Sequence, residues 1–574
     1  MGSNVNDFRT YFSETLLHRI AYPLASLLIL GNAGCSEANG SSPPSSLKSR
    51  TAAARATAPL PPVVLPVPIN IASGTIVRLR CGQTYQGTLD LKGKSNITVQ
   101  TVGTCGKAGI TPGHAISGWK KYKHNIYSAP IAFTPAQVSI AGKPVDAAHW
   151  PNRPQVWADG GGTIPDNDLD GATLVYLENQ SVVAEKPISG RRFDTSKPFY
   201  VEGKLWMLDS PGEWAVSNGR LYMWTPDGQS PEGRTWAAPN SNGINADNSS
   251  GITIDGVRIF SAADGISGDT SINLKVLNSE IVNSSRNGIW ASGSRGLMVH
   301  ETTVANSARS GIDGGYSIVG AVITDTTITN SGTVGRHKPT DAGIMFGDGR
   351  DNRIDKVQVV NSGYHGISVL HNWHTSVTNS VVDTACVRLN DCGGIYTGAR
   401  DLLPLNLRIE GNTVTNVKGS EGIAIYLDDS ANGVTVSGNT VTNSTIGMML
   451  HNGFDNFISN NTFASNAVTH LKFVQDSGRI RNNHVTKNTF RSTNGEQTFN
   501  LEQGSNLRAF ATIDHNIYIS TNSGIFGRSW DGSSDGVSYS YSAWKNWMGQ
   551  DAFSTMNGSR GEKNAKILRQ IAAD

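Results

Sequence analysis

Charge is scarce in this 574-residue chain: only 16% of its residues are Asp, Glu, Lys or Arg, and 48 basic against 46 acidic residues leave a formal net charge of +2. So even a balance lacks the basic excess with which proteins hold nucleic-acid phosphates, and DNA and RNA are set aside as partners. Beyond residue 35 there is no run of 18 uninterrupted apolar residues, which excludes a membrane-spanning helix there. Aromatics make up 7%, and the 63 glycines have no three-residue period, which excludes collagen; with 38% apolar residues the chain can still bury a core. CxxC pairs are also missing, so the five cysteines do not read as a zinc site.

What is present begins with an export pattern. Arg9, His18 and Arg19 precede the apolar stretch Ile20 to Leu30, and small residues follow up to Cys35. Ala33-Gly34-Cys35 resembles a bacterial lipoprotein processing site, which makes Cys35 a candidate for lipidation and a lipid anchor the one expected membrane contact. The other four cysteines fall in two local groups, Cys81 with Cys105 and Cys386 with Cys392, and predict two disulfides of an exported protein, whether periplasmic, anchored at the outer membrane or secreted.

Residues 36–68 are rich in Ser, Pro and Ala and read as a linker, and residues 69–110 alternate as strands do. Residues 111–240 hold seven of the twelve tryptophans, Trp119, Trp150, Trp157, Trp206, Trp214, Trp224 and Trp236, and predict a separate, inserted β domain. Its tryptophans either fill a small core or stack on sugar rings.

From about residue 241 to 538 a unit with Val or Ile before an Asn, then Gly-Ile, recurs at spacings of 23 and upward. The Asn column runs Asn283, Asn306, Asn330, Asn361, Asn416, Asn443, Asn466. The glycine column runs Gly265, Gly288, Gly311, Gly343, Gly366, Gly394, Gly422, Gly447. One repeat of this length, with short β runs, predicts one coil of a parallel β-helix, an all-β solenoid whose equivalent residues stack at about 4.8 Å. Residues 539–574, with Trp544, Trp547 and Met548, break the period as a terminal cap does, and closed ends favour a monomer.

Chemistry is expected where the ladder stops repeating, on the coils from 343 to 447. Asp391, Glu421, Asp428 and Asp429 fall on two neighbouring coils, close enough for a pair of carboxylates to act as proton donor and as nucleophile or base at a glycosidic bond. Asp428 and Asp429 would equally suit a turn cap. A second set, His365, His371, His374, His451, Tyr396, Tyr426, Arg350 and Arg400, supplies what β-elimination next to a uronic carboxylate needs: a base, a cation at the carboxylate and an acid for the leaving oxygen. Trp373 beside His371 could stack on a sugar. No resident cofactor or metal is read from these spacings, with calcium left open.

Three stretches carry a family resemblance: Val145-Asp146-Ala147-Ala148-His149-Trp150-Pro151-Asn152; Leu208 to Trp214 with Leu221 to Pro226; and Asp391-Cys392-Gly393-Gly394-Ile395-Tyr396 with Ile425 to Asp429 and His451-Asn452-Gly453. With the repeats around them, the chain resembles exported right-handed parallel β-helix proteins that degrade polysaccharides. The resemblance implies an inserted β domain in the first two stretches and catalytic aspartates in the third. The Asp-Pro-His-Glu signature of mannuronan epimerases and the Asn-Thr-Asp group of polygalacturonases are both missing, and Arg336-His337-Lys338 precedes the carboxylates. Three readings follow: hydrolysis by a pair among Asp391, Asp428 and Asp429, placed first; a polysaccharide lyase using His371 or His451, Tyr396 or Tyr426, and Arg350 or Arg400; and a surface protein that binds a polysaccharide without cleaving it.

Overall fold

The computed structural model describes residues 64–152, 168–179, 183–190, 196–333, 341–399, 401–504, 506–520, 525–532 and 536–558. The expected export segment, Cys35, most of the linker, Trp157, Arg336 to Lys338 and Arg400 lie outside the described residues.

Among the described residues, short strands stack in three long sheets of 15, 14 and 13 strands, paired in parallel from coil to coil except for the last, antiparallel pair Gly527–Trp530 with Val537–Tyr539, so the solenoid expected from the repeats is a parallel β-helix. A single coil shows how the residues produce it. In Lys275–Leu277, Glu280–Ser284 and Ile289–Trp290 the apolar residues Val276, Ile281 and Ile289 point inward and are fully buried, while Lys275 and Glu280 face out. The chain turns the corner between the first two strands on Asn278, at φ 46°; Gly256 and Gly411 occupy the same corner on other coils at φ 66° and 67°. Asn and Gly tolerate this left-handed backbone better than branched residues, which is why they recur there.

The two sequence columns have separate physical origins. Asn283, Asn306, Asn330 and Asn361 take a left-handed backbone and pass side-chain hydrogen bonds up the helix, 3.0 Å from Asn306 to Asn283, 2.9 Å from Asn330 to Asn306 and 2.7 Å from Asn361 to Asn330. Asn466 does not belong to this column: Ala464 is the partner of Thr442, so Ser465, at φ 55°, is the equivalent of Asn443. The glycines recur because of crowding. A Cβ on Gly265 would lie 2.6 Å from the carbonyl of Gly288 and against Ile281, both of the next coil.

Eight strands of the 14-stranded sheet position the site: β1 (Ala342–Gly347), β2 (His365–Leu370), β3 (Cys392–Thr397), β4 (Gly422–Leu427), β5 (Ile446–His451), β6 (Thr469–Val474), β7 (Gln497–Glu502) and β8 (Gly527–Trp530). Their register corrects the glycine column. Ile395 pairs with Ile425 and Ile425 with Met448, so Ala424, not Gly422, is the counterpart of Gly394 and Gly447. A slip of two residues keeps every side chain on its own face of the sheet but changes its neighbours. Tyr426 therefore stacks above Tyr396, and Asp428 lies across from Gly398, where no side chain stands in its way.

Within the expected linker, Val64–Pro66 is already a strand, parallel to Thr84–Gln86. Val67 packs on the core, and an end strand accommodates the missing N–H of Pro66. Between Thr111 and Ile244 the coil path is interrupted by an eight-stranded and a four-stranded sheet, paired mostly antiparallel. Six of the seven tryptophans there are described, all half-buried. Trp150, Trp206 and Trp224 pack on one of the insert's two apolar cores and Trp119 and Trp214 on the other, while Trp236 meets Phe260 of the helix edge-on at 5.0 Å.

The C-terminal end of the bore is closed by the helix Tyr541–Met548, started by the Ser540 hydroxyl accepting from the Ala543 N–H. Trp544 is fully buried and stacks on Phe499 at 5.2 Å. A second, buried asparagine ladder, Asn412, Asn439, Asn461, Asn488, Asn516, runs inside the corner, each carboxamide oxygen accepting from the backbone and side chain of the residue one coil back.

Candidate active site

On the outer face of β2 to β6 two columns alternate along the strands. One holds Ser368, Tyr396, Tyr426, Met449 and Lys472, and the other Leu370, Gly398, Asp428, His451 and Val474. Period-two alternation makes them face the same way. Asp428 is the centre. Its Oδ2 accepts a hydrogen bond from the Tyr396 hydroxyl at 2.8 Å, and its Oδ1 lies 2.8 Å from Nδ1 of His451 on the next coil. The other ring nitrogen of His451 is 3.1 Å from Asp476.

Asp391 enters from the loop before β3. The Cys386–Cys392 disulfide closes that loop, Asp391 takes a left-handed backbone at φ 52°, and Tyr364 donates to its carbonyl at 2.8 Å. The Tyr426 hydroxyl donates to its carboxylate at 3.3 Å. Tyr426 lies beside Tyr396, whose own hydroxyl holds Asp428, and the charge of Asp428 acts on Asp391.

The two carboxyl groups are driven apart electrically. Burial, reinforced by the charges of Asp428 and Glu421, pushes Asp391 up to about 6. Burial also works against the charge on Asp428, but the hydrogen bond and charge of His451, the Asp429 backbone N–H and the Tyr396 hydroxyl outweigh it and hold Asp428 below the usual carboxylate value. In return, and against its own burial, His451 is raised to about 9 by Asp428, Asp476 and Asp429. Burial and the neighbouring carboxylates keep both Tyr396 and Tyr426 protonated far above neutral pH.

His365 lies beneath this group, its ring stacked on Tyr396 at 4.1 Å. Its Nδ1 accepts from the Gly393 N–H at 3.0 Å, and burial lowers it to about 3, so it is a neutral packing partner. Ile423, Ile446 and Met449 pack with Tyr426 into a small apolar cluster on the same face.

The remaining sequence candidates lie around or away from this centre. Asp429 is exposed, with its carboxylate bonded by Asn452 at 2.7 Å. Glu421 is exposed and acts on Asp391 through charge. His371 forms a separate pair, with Nδ1 2.7 Å from Asp348, Nε2 3.4 Å from Asp401 and Trp373 packed on its ring at 4.3 Å, two coils before Asp428. Arg350 is exposed and stands in the corner ladder, bridged through its backbone to Val319 and Trp373. His374 is exposed beside Asp351 at 3.6 Å. Asp476 and the Lys472–Glu502 pair at 3.1 Å escape a reading based on the glycine column, because His470 takes the glycine's place on the coil of Lys472 and Asp476, and Tyr364, close to Gly366, is not among the sequence candidates. An oxygen of Asp428, one of Asp429 and a ring nitrogen of His451 lie within 4.8 Å of one another, and these are the groups with which a divalent cation could be held.

The right-handed β-helix region, as a sequence family, matches residues 264–429 and 365–535, the stretch that carries the whole site. No curated protein matches the chain in sequence. Among solved structures it is similar to a glycoside hydrolase at TM-score 0.53 and 13% identity, over 71% of this chain and 90% of that one. It is also similar to XylC in complex with xylose, at TM-score 0.43 and 10% identity over 79% and 82% of the two chains. A further likeness is to a double mutant of the tailspike protein of E. coli bacteriophage HK620 in complex with a pentasaccharide, at TM-score 0.35 and 14% identity over 51% and 53%. The first likeness, at that identity, speaks to the fold alone, and the other two, below a TM-score of 0.5, carry no argument. The chain is therefore a right-handed parallel β-helix protein, and its activity is argued from the site itself.

Proposed function

We propose that this protein is an exported glycoside hydrolase that cleaves a polysaccharide, with Asp391 as proton donor and Asp428 as the ionised partner. The observation that carries the reading is the grouping of Asp391, held by Tyr426, with Asp428, held by Tyr396 and His451, which pushes the first carboxyl group up and holds the second down. Glycoside hydrolysis needs this division: a carboxylic acid still protonated near neutral pH for the leaving oxygen, and a carboxylate to attack the anomeric carbon or activate water, at separations of about 5–10 Å. His451 holds Asp428 ionised, and Tyr396 fixes the second oxygen. The two disulfides support an oxidising compartment.

A lyase would need an unprotonated base and a cation at the uronic carboxylate. At this centre Tyr396, Tyr426 and His451 are all held in their protonated forms, and His371 lies two coils away against Asp348 and Asp401, which favours hydrolysis. The test is to incubate the folded protein with separate acidic and neutral polysaccharides, following new reducing ends and the ultraviolet absorbance of an unsaturated uronate. New ends without absorbance are expected. New ends with absorbance would overturn hydrolysis in favour of a lyase, and glycan retention with no new ends would make this a binding protein.

A further inference from the structure

Beyond the carboxylates, the outward column that contains Asp428 and His451 continues through Val474 and Glu502 to Trp530 on β8. Four coil steps at about 4.8 Å place Trp530 ~19 Å from Asp428 along the helix axis, on the same sheet face. The intervening coils carry Lys472, Asn500 and Glu502, tied together by a 3.1 Å ion pair and a 2.7 Å hydrogen bond. The path between the two points thus carries these polar groups beside Val474.

Trp530 borders a cavity of about 310 Å³, the lower end of the range that small-molecule sites occupy. Its walls combine aromatic faces with polar edges. Tyr539 and Trp547 stack on each other at 4.9 Å, and like Trp530 they are half-buried, so ring surface remains open to the cavity. Asn506, Arg508 and Ser529 add hydrogen-bonding groups, with Arg508 anchored on the Trp547 carbonyl at 3.3 Å. Trp544, by contrast, is wholly enclosed and accounts for the cap's packing. Aromatic faces with polar groups at their edges are what a sugar ring requires, since its C–H face is apolar and its rim is hydroxylated.

We propose that this cavity is a second saccharide-binding site, which takes a sugar unit several residues away from the cleavage point and so selects long chains laid along the helix axis. The proposal rests on the hydrolase reading for its link to cleavage, but binding at Trp530 is measurable without it. The occupant is an oligosaccharide long enough to reach from Asp428 to Trp530.

The experiment uses the full chain and a glycan array of neutral and uronic-acid oligosaccharides of two to eight units. The wild type, Trp530→Ala, Trp530→Phe and Arg508→Ala are compared for binding on the array, and for cleavage of long and short members of whichever series is cut. The expected result is a roughly tenfold weaker binding and higher KM of Trp530→Ala on long chains, with kcat and short-chain activity unchanged and with recovery in Trp530→Phe. Arg508→Ala, which removes the guanidinium and its hydrogen bond to the Trp547 carbonyl while Trp544 stays enclosed, should weaken long-chain binding in the same direction. Equal effects on long and short chains, or none on either, would overturn the proposal. Binding that depends on Trp530 without cleavage of any series would leave this site standing and sink the hydrolase reading; no binding by the wild type would sink both.

Discussion

The Nδ1 of His451 lies 2.8 Å from Oδ1 of Asp428, although 23 residues separate them in sequence. One coil of the β-helix brings them together, and each fixes the other's charge: the imidazolium keeps the carboxylate ionised, and the carboxylate keeps the imidazole protonated. For the neighbouring Asp391 burial outweighs the Tyr426 hydrogen bond and the more distant charge of His451, and its carboxyl group is pushed up to about 6.

The raised His451 should be visible directly. In a histidine NMR titration one imidazole is expected to titrate near 9, and in Asp428→Asn that value should fall toward the ordinary 6.5. The stability link has a definite sign. A histidine whose pKa is raised on folding contributes stability fully below about 6.5 and loses it as pH rises through about 9. Thermal denaturation should therefore show a Tm that declines over that window in the wild type and a flatter profile in His451→Gln.

Activity should depend on pH through both carboxyl groups. Asp391 must be protonated, so kcat/KM is expected to fall above about pH 6; Asp428 must be ionised, so the acid limb should lie below the ordinary carboxylate range. A profile that rises through neutral pH to a plateau would contradict this assignment.

Replacing either carboxyl group separates the two roles. Asp391→Asn should lower polysaccharide cleavage by about 10²–10⁴-fold and be rescued on an aryl glycoside whose leaving group needs no proton, whereas Asp428→Asn should lower both. Asp391→Asn also removes a carboxylate that is harder to ionise in the folded protein than in the unfolded chain, so its Tm at pH 7 should equal or exceed that of the wild type.

The loop carrying Asp391 is closed by Cys386–Cys392, with Cys392 fully buried. A Cys386→Ser, Cys392→Ser double variant should lose at least about tenfold in kcat, because small displacements of a catalytic group are costly. Its loss of stability should stay near 2 kcal/mol, as befits so short a loop, when measured by urea denaturation.

Asn461 accepts from both the backbone and the side chain of Asn439 and donates onward to Asn488. Asn461→Ala would leave two buried donors without acceptors, at about 1–3 kcal/mol each. Urea denaturation should report a loss of about 2–5 kcal/mol, far from the site and with kcat unchanged at low temperature.

Sequence alone determined the architecture, because each coil must bury its own apolar residues and turn its own corners, and both requirements recur at a readable interval. Val276, Ile281 and Ile289 fill the bore, Asn283 to Asn361 occupy a left-handed corner, and Gly265 and its counterparts let crowded neighbouring coils approach; each leaves a mark on its own repeat. Cys81 with Cys105 and Cys386 with Cys392 were paired by proximity in the same way. Local chemistry also singled out Asp391 and Asp428 in one candidate set and Tyr396, Tyr426 and His451 in another, on the same run of coils. Only the tertiary structure decided which of them touch. Coil lengths vary where loops are inserted, so sequence spacing did not reveal that Ala424 replaces Gly422 in the column, nor therefore that Tyr426 lies over Tyr396 and Asp428 beside His451. The division of charge between Asp391 and Asp428 likewise comes from burial and from neighbours on adjacent coils, which act through space at a few ångströms and leave no trace in the order of residues.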